Sequence, residues 1–214
     1  SFITWDGAYA EDLDADPTYN GRGKIKDQYG NVYYYPNETD NYWQQHYQIY
    51  YSYLLGEWWS FNATLDYTHG NGYTESYKRG KDIYWMGFDT LAMGFRYSDL
   101  IYRKQMANDA YSVNLSTRYK KDKLTATFGA SYLLHDGDHY GEVIWLQKDT
   151  ASSRTRISED NIWGDSNWYF INGIKNDVTG YAKFNYDFSS SFNLYADIQF
   201  RYVKYSMHGT ADDY

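Results

Sequence analysis

Apolar and polar residues alternate with period two through much of this chain, whereas the 3.6-residue periodicity of a helix is hard to find. Between 110 and 119, Tyr111, Val113, Leu115, Thr117 and Tyr119 share one parity; Ala110, Ser112, Asn114, Ser116 and Arg118 share the other. Residues 124 to 134 repeat the pattern, with Leu124, Ala126, Phe128, Ala130, Tyr132 and Leu134 opposing Thr125, Thr127, Gly129, Ser131 and Leu133. Only Leu133 breaks it. Four more segments behave alike: an apolar track runs through Tyr47–Leu55, Trp59–Tyr67, Val178–Phe188 and Phe192–Tyr202. The pattern predicts six antiparallel strands, with a partial strand at residues 2 to 10.

No charged residue stands on the apolar track of any segment, while Asp66, Arg118, Lys183, Asp187, Asp197 and Arg201 all take the opposite parity. A Lys or Arg facing lipid near the bilayer midplane costs roughly 2–4 kcal/mol, so a lipid-facing track must be free of charge and a lumen-facing one need not be. An antiparallel sandwich with one wet face satisfies the same alternation. The connections separate the two. Gly56-Glu57-Trp58, Lys120-Lys121-Asp122-Lys123 and Ser189-Ser190-Ser191 are short, whereas the links at about 11 to 42, 70 to 98 and 136 to 174 are long. Short turns alternating with long loops are the topology of outer-membrane barrels, and soluble sandwiches seldom carry loops of that length.

The expected fold is therefore all-β: antiparallel up-and-down transmembrane barrel strands with short periplasmic turns and long extracellular loops, forming part of a barrel. Asp66, Arg118, Lys183, Asp197 and Arg201 would face the lumen. Trp58, Trp59, Tyr119, Phe188 and Phe192, gathered near the short turns, would form the inner interfacial belt. The stretches from Ile101 to Tyr119 and from Phe192 to His208 exceed the roughly 9–11 residues that cross the hydrocarbon and should project beyond it.

Composition sharpens this reading. The 214 residues are 21% aromatic, with 28 Tyr and 8 Trp, yet only 43% hydrophobic. Tyr and Trp join an apolar body to a polar tip, which suits membrane interfaces and ligand-binding faces. No apolar run is long enough for a transmembrane helix, and a barrel needs none. The net charge of -8 leaves no basic stripe for nucleic acid. Cysteine is absent, so thiolate metal sites and disulfides are excluded. The chain opens directly into Phe2-Ile3-Thr4-Trp5 with no charged n-region or apolar h-region, so any signal peptide is expected to be missing or already removed.

Candidate chemistry is sparse, and no catalytic residue, metal site or cofactor is expected. His135 and His139 are four apart, a spacing that does not make a ligand pair on a strand; His46, His69 and His208 stand alone. Glu11, Asp12, Asp14 and Asp16 fail the EF-hand pattern, with Pro17 and Gly23 in the wrong places, and a solvated charge run is the simpler reading. Asp136-Gly137-Asp138-His139 lacks any companion motif, and its glycine is expected to turn the chain as the strand leaves the membrane. Aromatic residues of the outer loops are the better candidates: Tyr140, Trp145, Trp163, Trp168 and Tyr169 in the longest, Tyr42 and Trp43 in the first. Such rings suit a planar chelate, a corrin or a sugar, or else pack to order the loops.

Several stretches resemble a known family. They are Thr39-Asp40-Asn41-Tyr42 running into His46-Tyr47-Gln48, Leu65-Asp66-Tyr67-Thr68-His69-Gly70-Asn71-Gly72-Tyr73, Asp136-Gly137-Asp138-His139-Tyr140-Gly141 before Val143-Ile144-Trp145, and Tyr181-Ala182-Lys183 through Asn193-Leu194-Tyr195-Ala196-Asp197. Nearly the whole chain, in order, resembles the barrel of TonB-dependent outer-membrane receptors, nearest to the iron-complex or siderophore branch. The resemblance implies a 22-stranded barrel closed by a plug, importing a scarce nutrient across the outer membrane of a Gram-negative bacterium with energy passed on by TonB. Residues 1–214 are expected to be an internal part of that barrel, without the plug, in contact with outer-membrane lipid, a small nutrient ligand and, through the plug, TonB. Two other readings stay open: a small complete barrel with an adhesin or structural role, and a soluble carbohydrate-binding β-sandwich.

Overall fold

The computed structural model describes residues 3, 7–26, 29–147 and 167–210. A short helix α1 (Ala10–Ala15) and a small hairpin, β1 (Lys24–Lys26) and β2 (Val32–Tyr34), precede six long strands. These are β3 (Thr39–Leu55), β4 (Trp59–Asp82), β5 (Tyr97–Lys121), β6 (Leu124–Leu146), β7 (Asn167–Ser189) and β8 (Phe192–Thr210). Between β4 and β5 lie a 3-10 turn, Ile83–Met86, and a one-turn helix α2 (Thr90–Met93).

The six strands form one sheet in sequence order, every neighbour antiparallel. This is the up-and-down meander that the alternation predicts. The sheet is open, with β3 and β8 as its edges, so a closed barrel is not what these residues form by themselves. Tight turns join the lower ends, and two of the three use a left-handed residue, Gly56 with φ 66° and Asp122 with φ 49°.

Three long links were expected, and all are shortened by strand. β4 continues to Asp82 and β5 starts at Tyr97, which leaves residues 83–96 as the connection. β6 continues to Leu146 and β7 starts at Asn167, so Asp136-Gly137-Asp138-His139 is not a turn but part of a strand paired on both sides. The link from 11 to 42 contains α1, β1 and β2 and ends at Thr39. The physical reason is common to all three. In these upper stretches both faces carry polar groups, so the period-two contrast fades although the backbone ladder continues, with register shifts at Lys78/Lys81, Ile101/Tyr102 and Gly141/Glu142. The partial strand expected at 2 to 10 is not found among its described residues: 7–9 are irregular and α1 begins at Ala10.

Register brings all six apolar tracks onto one face. Tyr51, Ala63, Leu115, Ala130, Gly180 and Phe200 make one cross-strand row, and Tyr53, Phe61, Thr117, Phe128, Ala182 and Ile198 make the next. Large residues stand beside small ones along each row, so the rings lie over neighbouring Ala and Gly positions. Among the described residues, no second layer covers this face. Among its described residues only Ala126 is buried, whereas Ile49, Leu65, Ile198 and Phe200 are 48–70% exposed. The small apolar core lies elsewhere, at the upper end, where Ile83, Leu100 and Leu146 are buried with Met86, Phe88, Met93, Phe95, Tyr102 and Val143 around them.

Candidate functional site

The apolar face is bounded above and below by aromatic rings. At its upper margin Tyr47, Tyr67 and Tyr111 stack in a row across β3, β4 and β5, with centroids 5.9 and 4.9 Å apart. Their hydroxyls and that of Tyr132 point toward polar partners just above. Tyr47 donates to Gln45 at 2.8 Å, Tyr67 to Asp109 at 2.7 Å and Tyr132 to Asn176 at 2.8 Å. At the lower margin Trp59 packs on Tyr119 at 4.9 Å, and Phe188 packs on Tyr186 and Phe192 at 4.7 and 5.3 Å. No ionisable side chain other than tyrosine stands on this face between the two margins. Immediately beyond the upper one come His69, Asp109 and Asp136; His69 Nδ1 lies 2.9 Å from Asp109 Oδ1.

The other face is polar and internally paired. Gln48 donates to Asp66 at 2.6 Å, Ser52 to Asn62 at 2.7 Å, and Lys183 lies 3.6 Å from Asp197. Arg201 holds Asp177 through two donors, Nε at 3.0 Å and Nη2 at 2.6 Å, the planar fork matching the carboxylate. Thus Asp66, Lys183, Asp197 and Arg201 share this face and are engaged in it. Arg118 stands there too, opposite Ser60 and Thr127. Tyr181 lies flat against Gly129 on β6, so close that a Cβ at 129 would stand 2.2 Å from its ring. The glycine is therefore required by the ring, which in turn shields its backbone.

At the upper end, β4 outruns β3 and two carboxylates complete the structure. Glu38 caps the bare strand edge: Oε2 accepts from the Tyr77 backbone N–H at 3.0 Å, and Oε1 lies 3.4 Å from Arg22. Glu75 is buried and accepts from Tyr35, from Asn37 and, at 2.7 Å, from Arg103 Nε. Arg103 stacks at 4.2 Å over the Tyr73 ring. Burial by itself would raise the Glu75 carboxyl; the donors Tyr35, Arg103 and Asn37 outweigh it and hold it below its ordinary value. Burial and the Glu75 hydrogen bond push the Tyr35 phenol up to about 12. Tyr77 is likewise pushed up to about 12 by burial and by its bond to Asp99. These contacts pin the segment before β3 onto the sheet.

The 83–96 connection folds over the polar face at the same end, its apolar residues packing on Leu100, Tyr102, Val143 and Leu146. Asp82 accepts from Arg96 Nε at 2.9 Å, and the guanidinium lies over Tyr84 and Tyr97. That bond lowers the Asp82 carboxyl below its usual range. A small cavity of about 70 Å³ opens between Lys81, Asp82, Trp85, Met86 and Trp168.

The aromatic candidates among the described residues lie on strands, not loops, and they divide between the faces. Tyr42 lies over Gly70 on the polar face, while Trp43 meets His69 edge-on at 6.2 Å on the other. Tyr140 stacks on Phe170 at 6.3 Å and donates to Gln105 at 3.3 Å. Trp168 and Tyr169 pack edge-to-face at 5.2 Å against Gly141, and Trp168 also meets Tyr102 at 5.5 Å. Trp145 pairs with Ile101 and is exposed. Trp163 lies outside the described residues. Of the seven, the structure brings only Trp168 and Tyr169 into direct ring contact. Sequence reasoning missed Trp85, Arg96 and the Glu38 and Glu75 pair. The Asp82 to Gly94 stretch, with caps at Asp82 and Asp89 and left-handed Gly87 and Gly94, is the signal that could have located the first two.

Among the described residues, no group of three or more His, Cys, Asp or Glu is arranged to hold a metal ion. No helix among the described residues is long and apolar enough to cross a membrane. No protein-family model matches the chain, and no curated protein is significantly similar to it.

Proposed function

We propose that the sheet is part of the wall of an outer-membrane β-barrel belonging to a TonB-dependent nutrient receptor, with its apolar face in lipid and its polar face toward the lumen. One observation carries the membrane half of this reading: an uncovered apolar face, six strands wide, bordered by two aromatic margins and free of Asp, Glu, Lys, Arg and His between them. In water a face of this extent would associate or aggregate; in hydrocarbon it is at its lowest free energy. The transport half is supported by the sequence resemblance and by the polar, ion-paired opposite face. The ligand, an iron complex or similar nutrient, would meet Trp85, Trp168 and Tyr42 at the upper end of the polar face before passing along it. Hydrocarbon leaves no backbone group unpaired, so on this reading the outer edges of β3 and β8 are joined in a closed barrel.

The absence of cysteine makes the test direct. Single cysteines at Phe61, Leu115 and Ile198 should resist a water-soluble maleimide in outer-membrane vesicles and be quenched by lipid nitroxides when carrying a fluorophore. Cysteines at the neighbouring Asn62, Ser116 and Gln199 should react from the lumen. Equal reactivity of the two sets would end the membrane reading. The transport reading is tested by measuring uptake of ferric chelates with and without the proton-motive force; uptake indifferent to it removes TonB from the account.

A further inference from the structure

The lower rim of the apolar face carries cations. The track that runs through Tyr119 continues to Lys121, opposite Leu124, so Lys121 emerges on the apolar face one step below the lower aromatic margin. Its ammonium lies 3.9 Å from the centroid of the Trp58 ring. Lys123 Nζ donates to the Phe188 carbonyl at 3.0 Å, which sets a second ammonium against the aromatic end of β7. The anions of these turns are Asp122 and Glu57, both exposed. The upper rim of the same face is mainly acidic, although Lys204 stands in the row of the upper tyrosines opposite Asn176. Asp109 and Asp136 face each other across β5 and β6, and Asn172 donates to Asp136 at 2.6 Å and to Asp138 at 2.8 Å. The apolar face is thus polarised along the strands, with ammonium groups under one aromatic margin and carboxylates over the other.

We propose that the β5–β6 turn is a docking site for an anionic phospholipid, its headgroup phosphate held between Lys121 and Lys123 and its acyl chains lying along the apolar rows above Tyr119. The inference rests on the reading that this face meets lipid. Charge complementarity selects the occupant. The Lys121 ammonium on the Trp58 ring and the Lys123 ammonium on the Phe188 carbonyl sit where the phosphate level of a leaflet adjoins hydrocarbon, and a phosphate without a compensating choline gains most from them. A cation at that level contributes roughly fivefold in affinity for an anionic surface.

The test uses the full chain reconstituted into phosphatidylcholine bilayers containing trace spin-labelled phosphatidylglycerol or spin-labelled phosphatidylcholine. The motionally restricted fraction of each label reports its association with the protein. Phosphatidylglycerol should be preferred by up to about 25-fold, roughly fivefold for each cation, and the preference should fall with salt. K121Q/K123Q should abolish it, whereas K120Q, on the polar parity opposite Thr125, should retain it. Equal association of the two lipids, or a preference that survives K121Q/K123Q, overturns the site while leaving the lipid-facing reading intact. Motional restriction of neither label, with the protein recovered in the vesicles, overturns both.

Discussion

Replacing Leu115 with Arg places a charge at the centre of the apolar face. Leu115 is four residues from Tyr111 and four from Tyr119, the aromatic margins of its own strand. At ~3.4 Å per residue and a tilt of ~40°, it lies ~10 Å from each margin, too deep for a snorkelling guanidinium to escape freely. The expected cost is about 2–4 kcal/mol of membrane-folded stability, a factor of about 30 to 900 in the folding equilibrium. Asn114→Arg is the matched control. It adds the same side chain one residue away, on the polar face between Thr64 and Ser131, and should cost no more than about 0.5 kcal/mol. Urea titration of the chain in phosphatidylcholine vesicles, followed by protease resistance, measures both. In a water-soluble sheet Leu115 is already 41% exposed and Arg there would be nearly neutral. Equal costs for the two variants would therefore refute the argument.

Glu75→Leu leaves Arg103 without its buried partner and should destabilise the upper end by roughly 3–5 kcal/mol, seen as faster amide exchange in 29–38 with the lower strands unaffected. The Glu75 carboxyl is held below its unfolded value, so its contribution is present above the ordinary glutamate range and is lost as pH falls through the depressed value. Tyr35 has the opposite sign: raised to about 12, its contribution is full below about pH 10 and disappears as pH rises through about 12. Exchange in 29–38 should therefore accelerate at both extremes, and Tyr35→Phe should weaken both limbs, because the lost phenol is also a donor that holds the Glu75 carboxyl down. Gly129→Ala should cost about 1–3 kcal/mol by displacing the Tyr181 ring, and Tyr181→Ala in the same chain should relieve most of that strain in a double-mutant cycle.

The sheet was legible where its two faces meet different surroundings. From Tyr47 to Leu55 and from Tyr111 to Tyr119 one parity is apolar and the other polar, so strand, parity and turns can all be read directly. Higher up the contrast vanishes, and Asp136-Gly137-Asp138-His139 has the composition of a turn. It is strand because Asn108 and Gly173 pair with Gly137 from both sides, contacts made by residues distant in sequence. The Glu75 cluster was hidden for the same reason, since Tyr35 and Arg103 reach it from far along the chain. Lys121 lies on the readable parity, yet its meaning depends on Trp58, which only the folded turn brings beneath it.

The unequal lengths of strand on either side of the upper tyrosines have a mechanical consequence. Above Tyr111, β5 continues for the residues from Ala110 back to Tyr97, a rise of ~30–35 Å after tilt, comparable to the thickness of a bilayer core. On the proposed reading this is a stiff chimney that clears the sugar coat of the cell surface. Trp85 and Trp168 would then greet incoming cargo from a braced parapet, and a molecule too bulky to penetrate that coat could still be caught.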